Sequence, residues 1–234
     1  MQHLLNNHIC FLKQNRGTLS FENKNIRISS PFKTYSITIV VHEQETTCTS
    51  EYVFLPNWST NTNPLTHYNK DYDLTYMLGD SEQVKNWSEH PNLLIKQVKT
   101  QADIDLFSQV QASGFCETEA IYNRWFPFLK QKNDEGLLYK NQYYFMASIN
   151  KQTVATCLIV DSDSVYGIYG VATAPQFRKQ GIATSLMKAA ITSCLSKKEQ
   201  LLTLQTVKDS NAEKLYQTLG FKEDFNSQIL KKEI

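Results

Sequence analysis

The order of strands and helices in the second half of the chain is the feature that most constrains its fold. Between residues 93 and 230, β-type runs alternate with segments that have the three- and four-residue apolar spacing of helices. The predicted order is strand, helix, helix, three strands, helix, strand, helix, strand. Strands joined through helices predict an α/β (α+β) domain, in which helices flank a mixed central sheet.

Each predicted element has its own local signal. Thr100 and Asp103 form a capping-box pattern, with Asp in place of Glu, at the start of the first helix. Residues 150–152 form a polar turn that predicts a hairpin between two strands, and 161–164 predict the next turn. The predicted strands are 93–98, 143–149, 153–160, 165–173, 201–207 and 221–230, and the later helices are 117–131, 181–195 and 211–219.

Residues 1–92 are rich in Asn, Thr and Ser and contain short β-type runs. Runs 36–41 and 51–55 predict two strands paired across a polar turn, and 74–78 predict another short strand. A long loop is expected over 56–71 and a polar link over 79–92. The sequence therefore predicts two parts: a β-rich region at 1–92 and a domain at 93–234.

Charge and cysteine content exclude several classes of protein. With 24 basic and 23 acidic residues the net charge is +1, so there is no general basic field for nucleic acid or an anionic membrane. No apolar run approaches the roughly 20 residues of a membrane span, and the N-terminus lacks a secretory pattern. Five scattered cysteines, without a Cys-x-x-Cys pair, predict reduced thiols and a cytoplasmic protein. No His or Cys pair has metal-ligand spacing, so no metal is expected.

One segment has the pattern of an anion-binding cradle. After the strand that ends at Thr173, Pro175 interrupts the chain, and Arg178, Gly181 and Ala183 lie where a helix begins. The first-turn N–H groups of a helix lack intrahelical partners and lie at the positive end of its dipole. Small side chains at 181 and 183 would let a diphosphate approach the backbone, and Arg178 could add charge.

Other phosphate-binding patterns fit this segment less well. No Gly-Lys-Ser/Thr follows it, so it is not a P-loop, and its single glycine excludes the dinucleotide fingerprint. A plain strand–loop–helix connection without a ligand remains open at this point.

Residues 171–183 resemble the acyl-CoA signature of the GNAT superfamily of N-acetyltransferases, V-x-x-x-P-x-x-R-x-x-G-x-G/A, at every signature position. Residues 211–221 resemble the closing motif of that superfamily, N-x-x-A-x-x-L-Y-x-x-L-G-F, although Ala here follows Asn directly. The resemblance covers about residues 93–232 and agrees with the predicted element order. It implies a GNAT-like mixed sheet, acetyl-CoA as cosubstrate, an acceptor amine as partner, and no metal.

The resemblance also implies roles for individual residues. Val171 and Thr173 would offer backbone groups to the pantetheine arm, and the N–H of Val171 or its neighbour would face the thioester oxygen. Asn211 would bind the pantetheine region, and Tyr216 would protonate the departing CoA thiolate as general acid. The implied CoA-binding residues are Val171, Ala172, Thr173, Arg178, Lys179, Gln180, Gly181, Ile182, Ala183, Thr184 and Asn211.

The general base is an open question. Some GNAT enzymes use a glutamate on the strand that corresponds to 165–169, and this strand has no carboxylate here. Glu117 and Glu119, near the start of the second helix, are the first candidates, although acidic residues are also favoured there by the helix dipole. The other candidates are Asp161, Asp163, Tyr166 and Tyr169, the tyrosines through a water molecule.

Three alternatives remain beside direct amine attack in a ternary complex. The chain could be a non-catalytic acyl-CoA-binding or interaction protein, or it could transfer a longer acyl group. Cys157 or Cys194 could carry the acyl group, but each has an apolar context and no histidine nearby in the sequence. Residues 1–92 are expected to be an accessory domain or a degenerate half of the same GNAT fold.

Overall fold

The computed structural model describes residues 2–16, 18–22, 25–29, 37–39, 52–57, 67–162, 165–195 and 201–233. The elements in chain order are α1 (Gln2–Arg16), β1 (Thr18–Glu22), β2 (Asn25–Ser29), β3 (Ile37–Ile39), β4 (Tyr52–Pro56), β5 (Tyr68–Asp80), α2 (Ser81–Val84), β6 (Leu94–Gln97), α3 (Gln101–Phe115), α4 (Glu119–Gly136), β7 (Gln142–Ile149), β8 (Gln152–Ser162), β9 (Val165–Thr173), α5 (Ile182–Cys194), β10 (Leu201–Val207), α6 (Asn211–Thr218) and β11 (Lys222–Lys232). The chain folds into two compact units: the first is Met1–Leu78 with Leu204–Ile234, and the second is Gly79–Thr203.

The second unit is a mixed sheet with packed helices, as the sequence predicts. Its strand order is β10-β9-β8-β7-β6. β6 to β9 are antiparallel neighbours, whereas β10 runs parallel to β9 and pairs Leu201–Thr203 with Val165–Gly167. Helix α3 packs on β8 and β9, and α5 packs on β7, β8 and β9. The predicted α/β class and the predicted element order from 93 onward are confirmed.

The local signals of this unit act as predicted. The Thr100 hydroxyl accepts a hydrogen bond from the Asp103 N–H at 3.2 Å, which caps α3. Asn150 and Lys151 have φ values of +49° and +66°, the left-handed pair of a two-residue type I′ hairpin between β7 and β8. The apolar stripe of α5 is buried against the sheet, through Ile182, Leu186, Met187, Ala190 and Ile191.

In the first unit, the predicted pairing of two strands is right but its direction is wrong. β3 and β4 are parallel, with Ile37 opposite Tyr52, so a tight polar turn cannot join them. A parallel pair needs a crossover of about a dozen residues, and 40–51 separate the two strands in the sequence. Residues 36, 40, 41 and 51 of the two predicted runs lie outside the described residues.

Three further elements differ from the sequence expectation. Helix α1 lies in a region predicted to be β-rich, α2 lies in the predicted polar link, and β5 begins inside the predicted loop 56–71. β5 pairs along its length with β11, from Leu78 opposite Lys222 to Tyr68 opposite Lys232. The polar start of β5 has no local sequence pattern that is typical of a strand. It is held in the sheet by β11, a partner distant in the sequence.

The core of the first unit explains why α1 forms. Leu12 on α1 is buried with Phe54 on β4 and Ile229 on β11. His8 on the same helix hydrogen-bonds to the Tyr76 hydroxyl at 2.7 Å, and the Tyr76 ring stacks on Phe225 with centroids 4.1 Å apart. Helix α1 is therefore stabilised by tertiary packing rather than by strong helix propensity.

The strand order shows that the C-terminal segment belongs to the first unit. β11 lies between β4 and β5 and is antiparallel to both. This pairing groups 204–234 with the N-terminal residues, whereas the sequence places a boundary between 92 and 93. The division between the units falls within β10.

The two units contain helices and strands in the same order. In the first unit α1 precedes the antiparallel strands β1, β2 and β3, and β4 then runs parallel to β3. In the second, α4 precedes the antiparallel strands β7, β8 and β9, and β10 runs parallel to β9. The same order of a helix, three antiparallel strands and a parallel fourth strand therefore occurs in both units.

The α3 cap gives a direct test of the local structure. We expect Thr100→Ala to lower the free energy of unfolding by about 1 kcal/mol, because the first turn of α3 loses its side-chain acceptor. Thr192→Ala, at an exposed position inside α5, is the matched control and should be neutral or slightly stabilising. Urea unfolding measures both, and equal effects of the two variants would contradict the capping role.

Candidate active site

The start of α5 carries a run of backbone N–H groups without backbone acceptors. Gly181 is the N-cap, and the first intrahelical bond runs from the Ser185 N–H to the Gly181 carbonyl at 3.0 Å. No side chain caps this helix. In the described part of the chain, the amides of the segment 179–184 donate no backbone hydrogen bond. We call these six amides the cradle.

The backbone conformation around Gly181 leaves the cradle open. Gly181 has φ +76° and Lys179 has φ +60°, so two residues of the loop are left-handed. A Cβ atom added to Gly181 would meet no atom within 4 Å, so backbone conformation, and not crowding, favours glycine here. Unpaired amides at the positive end of a helix, preceded by left-handed residues, form an anion-binding concavity.

A β-bulge interrupts β9 just before the cradle. Thr156 on β8 lies opposite Ala172, whereas Leu158 lies opposite Tyr169, so Gly170 and Val171 together oppose a single residue. Gly170 is left-handed, with φ +56°, and its carbonyl accepts a hydrogen bond from the Thr156 hydroxyl at 2.8 Å. The bulge changes the direction of the backbone at the position where the sequence predicts the pantetheine contact.

One edge of β9 is unpaired within the second unit. β10 pairs with β9 only from Val165 to Gly167. Among the described residues of this unit, the edge of β9 from 170 to 173 that faces away from β8 has no strand partner. Backbone groups on that edge can therefore pair with an extended ligand.

The Arg178 side chain hydrogen-bonds to two backbone carbonyls, whereas the sequence suggests that it binds a phosphate. Its Nε donates to the Thr173 carbonyl at 3.1 Å, and its Nη2 donates to the Gly114 carbonyl at 2.7 Å. Its backbone N–H donates to the Pro175 carbonyl at 3.3 Å. The sequence does not predict that Gly114 contacts Arg178, because a glycine near a helix end is typical of a C-cap.

The other two residues of the implied site belong to the first unit. Asn211 is exposed in the first turn of α6, whose N-cap is Ser210. Tyr216 is buried, with 8% of its surface exposed, and its ring lies edge-to-face with Phe221 at 6.0 Å. The structure thus assigns residues 171–184 to one unit and Asn211 and Tyr216 to the other.

The predicted glycine C-cap of α6 is present. Gly220 has φ +91°, and its N–H donates to the Gln217 carbonyl at 3.0 Å. The Phe221 N–H donates to the Tyr216 carbonyl, also at 3.0 Å. This is a Schellman motif, which ends the helix at Thr218, and Phe221 is buried in the core.

The candidate bases have different surroundings. Glu117 and Glu119 are both exposed, on either side of Thr118, which is the N-cap of α4. The buried Tyr166 donates its hydroxyl proton to the Cys194 carbonyl at 2.7 Å, so this proton is already in use.

The remaining two candidates that the structure describes lie on strands. Asp161 is half-buried on β8, and Tyr169 is buried on β9. Asp163 lies outside the described residues.

The cysteines in the second unit are poorly suited to nucleophilic catalysis. Burial raises the pKa of the Cys157 thiol, and burial together with the negative charge of Asp161 raises the pKa of Cys194 to about 12. A thiol attacks as its thiolate, so a raised pKa leaves little nucleophile at neutral pH. The four described cysteines, Cys10, Cys116, Cys157 and Cys194, form no disulfide bond.

Neither a cluster of metal-ligating side chains nor a membrane-spanning helix is found among the described residues. They contain no group of three His, Cys, Asp or Glu side chains that could hold a metal ion. None of their helices has both the length and the apolar character that a membrane crossing requires.

The sequence comparison identifies the family. Residues 110–221, just under half of the chain, match the model of the Acetyltransferase (GNAT) family. The matched part contains α5, β10, α6 and the bulge, and with them both motifs. The resemblance is confirmed: this part of the chain belongs to the GNAT superfamily, a family of acyltransferases. None of the curated proteins compared with the chain matches it.

Solved structures with the same fold cover nearly the whole chain. A functionally unknown conserved protein from Staphylococcus epidermidis is 15% identical, with a TM-score of 0.72 over 94% of this chain and 96% of its own. A GCN5-related N-acetyltransferase from Kribbella flavida is 10% identical, with a TM-score of 0.69 over 98% and 95%. A tandem GNAT protein from the clavulanic acid biosynthesis pathway is 9% identical, with a TM-score of 0.60 over 89% and 78%. These likenesses show that the fold is GNAT-like.

Thiol alkylation tests the assignment of the cysteines. At pH 8 we expect iodoacetamide to modify Cys157 and Cys194 at least about tenfold more slowly in the folded protein than in denaturant, because each unit of raised pKa removes about nine-tenths of the thiolate. Mass spectrometry of the digested protein measures each site, and the less buried Cys116 serves as an internal control. Equal rates for Cys194 in the folded and unfolded chain would restore it as a candidate nucleophile.

Proposed function

We propose that the protein is an acetyl-CoA-dependent N-acetyltransferase in which an acceptor amine attacks the thioester directly. The observation that carries this proposal is the cradle: six consecutive amides without backbone acceptors, at an uncapped helix start, in the segment that matches the GNAT signature. A diphosphate supplies the acceptor oxygens that these amides lack.

The diphosphate of CoA binds to the amides of Lys179 to Thr184. The amide of Arg178, which the sequence includes in this set, has the Pro175 carbonyl as its partner. The helix dipole and several charge-assisted hydrogen bonds act together on one ligand group. This arrangement requires no positive side chain at the contact.

The pantetheine arm lies along the unpaired edge of β9, beside Val171, Ala172 and Thr173. The bulge at Gly170 and Val171 supports this role, because its extra residue interrupts the regular ladder and changes the direction of the backbone there. The N–H of Val171 or its neighbour donates to the thioester oxygen, which gains negative charge as the amine attacks. Asn211 binds the pantetheine region.

The reaction transfers one acetyl group and one proton. The amine nitrogen forms a bond to the carbonyl carbon, and the carbon–sulfur bond then breaks. Tyr216 gives its hydroxyl proton to the departing thiolate as general acid. The proton of the attacking amine goes to a base, for which Glu117 and Glu119 are the first candidates, directly or through water.

We further propose that the N-terminal region is a degenerate half-GNAT, whose sequence does not contain the acyl-CoA signature. The repeated order of a helix, three antiparallel strands and a parallel strand supports this, as does the fold similarity to a tandem GNAT protein. Cysteines without disulfide bonds, as in the described residues, suit a cytoplasmic protein. Its partners are acetyl-CoA and an amine acceptor, with no resident metal.

CoA binding tests the cradle. We expect Ala183→Pro to weaken CoA binding about tenfold or more, because proline removes one N–H from the cradle while the first turn of a helix tolerates its ring. Ala120→Pro, an exposed first-turn position of α4, is the matched control and should bind CoA as the unaltered protein does. Isothermal titration calorimetry measures both.

The same titration has two outcomes that contradict the cradle. One is the absence of CoA binding to the unaltered protein. The other is equal affinity for CoA and for pantetheine, which has no diphosphate.

Turnover tests the role of Tyr216. We expect Tyr216→Phe to bind acetyl-CoA normally and to lose activity by about a hundredfold or more, because the ring packing remains and the acidic proton is removed. Tyr139→Phe, at a more exposed position, is the control. Acetyl-CoA consumption over a panel of amines gives the rates. CoA binding without turnover of any amine would instead favour a non-catalytic acyl-CoA-binding protein.

A further inference from the structure

The segment that leads to the cradle contacts the last turn of α3. Three contacts join this turn to the segment 170–178: Gln111 with Gly170, Gly114 with Ala172, and the Gly114 carbonyl with Arg178. We propose that Arg178 is a positioning residue, which fixes the cradle to the end of α3 and does not bind the diphosphate itself. This inference rests on the proposed function for its consequence in CoA binding.

The guanidinium of Arg178 bridges two carbonyls from different elements. Nε donates to Thr173 at the end of β9, at 3.1 Å, and Nη2 donates to Gly114 on α3, at 2.7 Å. A guanidinium holds its donors in a rigid planar fork, so one side chain fixes the separation of both acceptors. Arg178 is therefore a link between a strand end and a helix end.

The charge of Arg178 also has a local partner. Gly114 lies in the last turn of α3, which ends at Phe115, and the final carbonyls of a helix have no intrahelical donor. These carbonyls form the negative end of the helix dipole, where a cation is favoured. Arg178 thus donates a hydrogen bond to a carbonyl at the negative end of α3. This contact takes the place of the phosphate contact expected from the sequence.

Close packing holds the same turn against the bulge. A Cβ atom on Gly114 would lie 2.7 Å from the Ala172 Cβ, so only glycine lets α3 approach β9 this closely. A Cβ atom on Gly170 would lie 2.7 Å from Nε2 of Gln111. The buried Asn133 holds that side chain in place, donating to Gln111 Oε1 at 2.8 Å.

Arg178 directly precedes the cradle in the chain, so its two hydrogen bonds restrain the backbone that leads to the cradle. The cradle begins at the next residue, Lys179, and the carbonyl of Thr173 precedes the short turn that leads to it. Loss of the bridge would free the loop at both ends. We therefore expect it to affect the backbone of the loop even when no ligand is bound.

Replacement of Arg178 by lysine and by methionine separates positioning from phosphate contact. Lysine keeps the charge but cannot hold two carbonyls in a planar fork, so Arg178→Lys and Arg178→Met should behave alike. Both should weaken CoA binding by about tenfold. The exposed Arg124 on α4 provides matched controls, Arg124→Lys and Arg124→Met, which should leave CoA binding unchanged.

Hydrogen exchange of backbone amides in the unliganded protein is a second test of the positioning role. Three backbone amides near Arg178 report on the loop and on the end of α3. The Ala174 amide donates to the Val154 carbonyl on β8, the Phe177 amide to the Ala174 carbonyl, and the Cys116 amide to the Ala112 carbonyl. They should exchange about tenfold faster in both Arg178 variants and at the original rate in both Arg124 variants.

Two results would overturn the positioning role. One is unchanged exchange of these amides in Arg178→Met; the other is near-normal CoA binding in Arg178→Lys with strong loss in Arg178→Met, which indicates a contact with the diphosphate. If the unaltered protein binds no CoA, the proposed function fails, and the exchange rates still decide whether Arg178 holds the loop.

Discussion

Unpaired backbone N–H groups at the start of α5 are the constraint on which the functional interpretation depends. Folded proteins pair nearly all of their buried backbone donors, so six consecutive donors without a backbone acceptor require an open surface and a conformation that keeps them there. Left-handed Lys179 and Gly181 supply that conformation, and the buried face of α5 anchors the helix. The bulge in β9 interrupts the ladder with β8 at Gly170 and Val171.

The sequence predicts well wherever a local signal is strong. Thr100, the turn at Asn150 and Lys151, and the apolar stripe of α5 each determine a few residues by short-range geometry, and each appears as expected. The two motifs are likewise read from short spacings, and the family match covers both. From residue 93 onward the element order therefore follows from the sequence.

What the sequence misses depends on contacts between distant residues. The direction of β4 beside β3, the polar start of β5 and the helix α1 are all fixed by partners far along the chain. The same holds at the site, because the carbonyl that Arg178 contacts belongs to Gly114, which lies 64 positions away. A motif predicts which residues are near a ligand, but it does not predict which of their atoms are already engaged.

The position of β11 has a consequence for dissecting the protein. The family match ends at residue 221, immediately before this strand, yet β11 finds its neighbours in β4 and β5, which the N-terminal sequence supplies. A fragment cut at the start of the GNAT-like sequence would carry β11 with both of its edges bare, and bare strand edges recruit other chains. We therefore expect a C-terminal fragment to aggregate, because β11 would lack both of its partner strands.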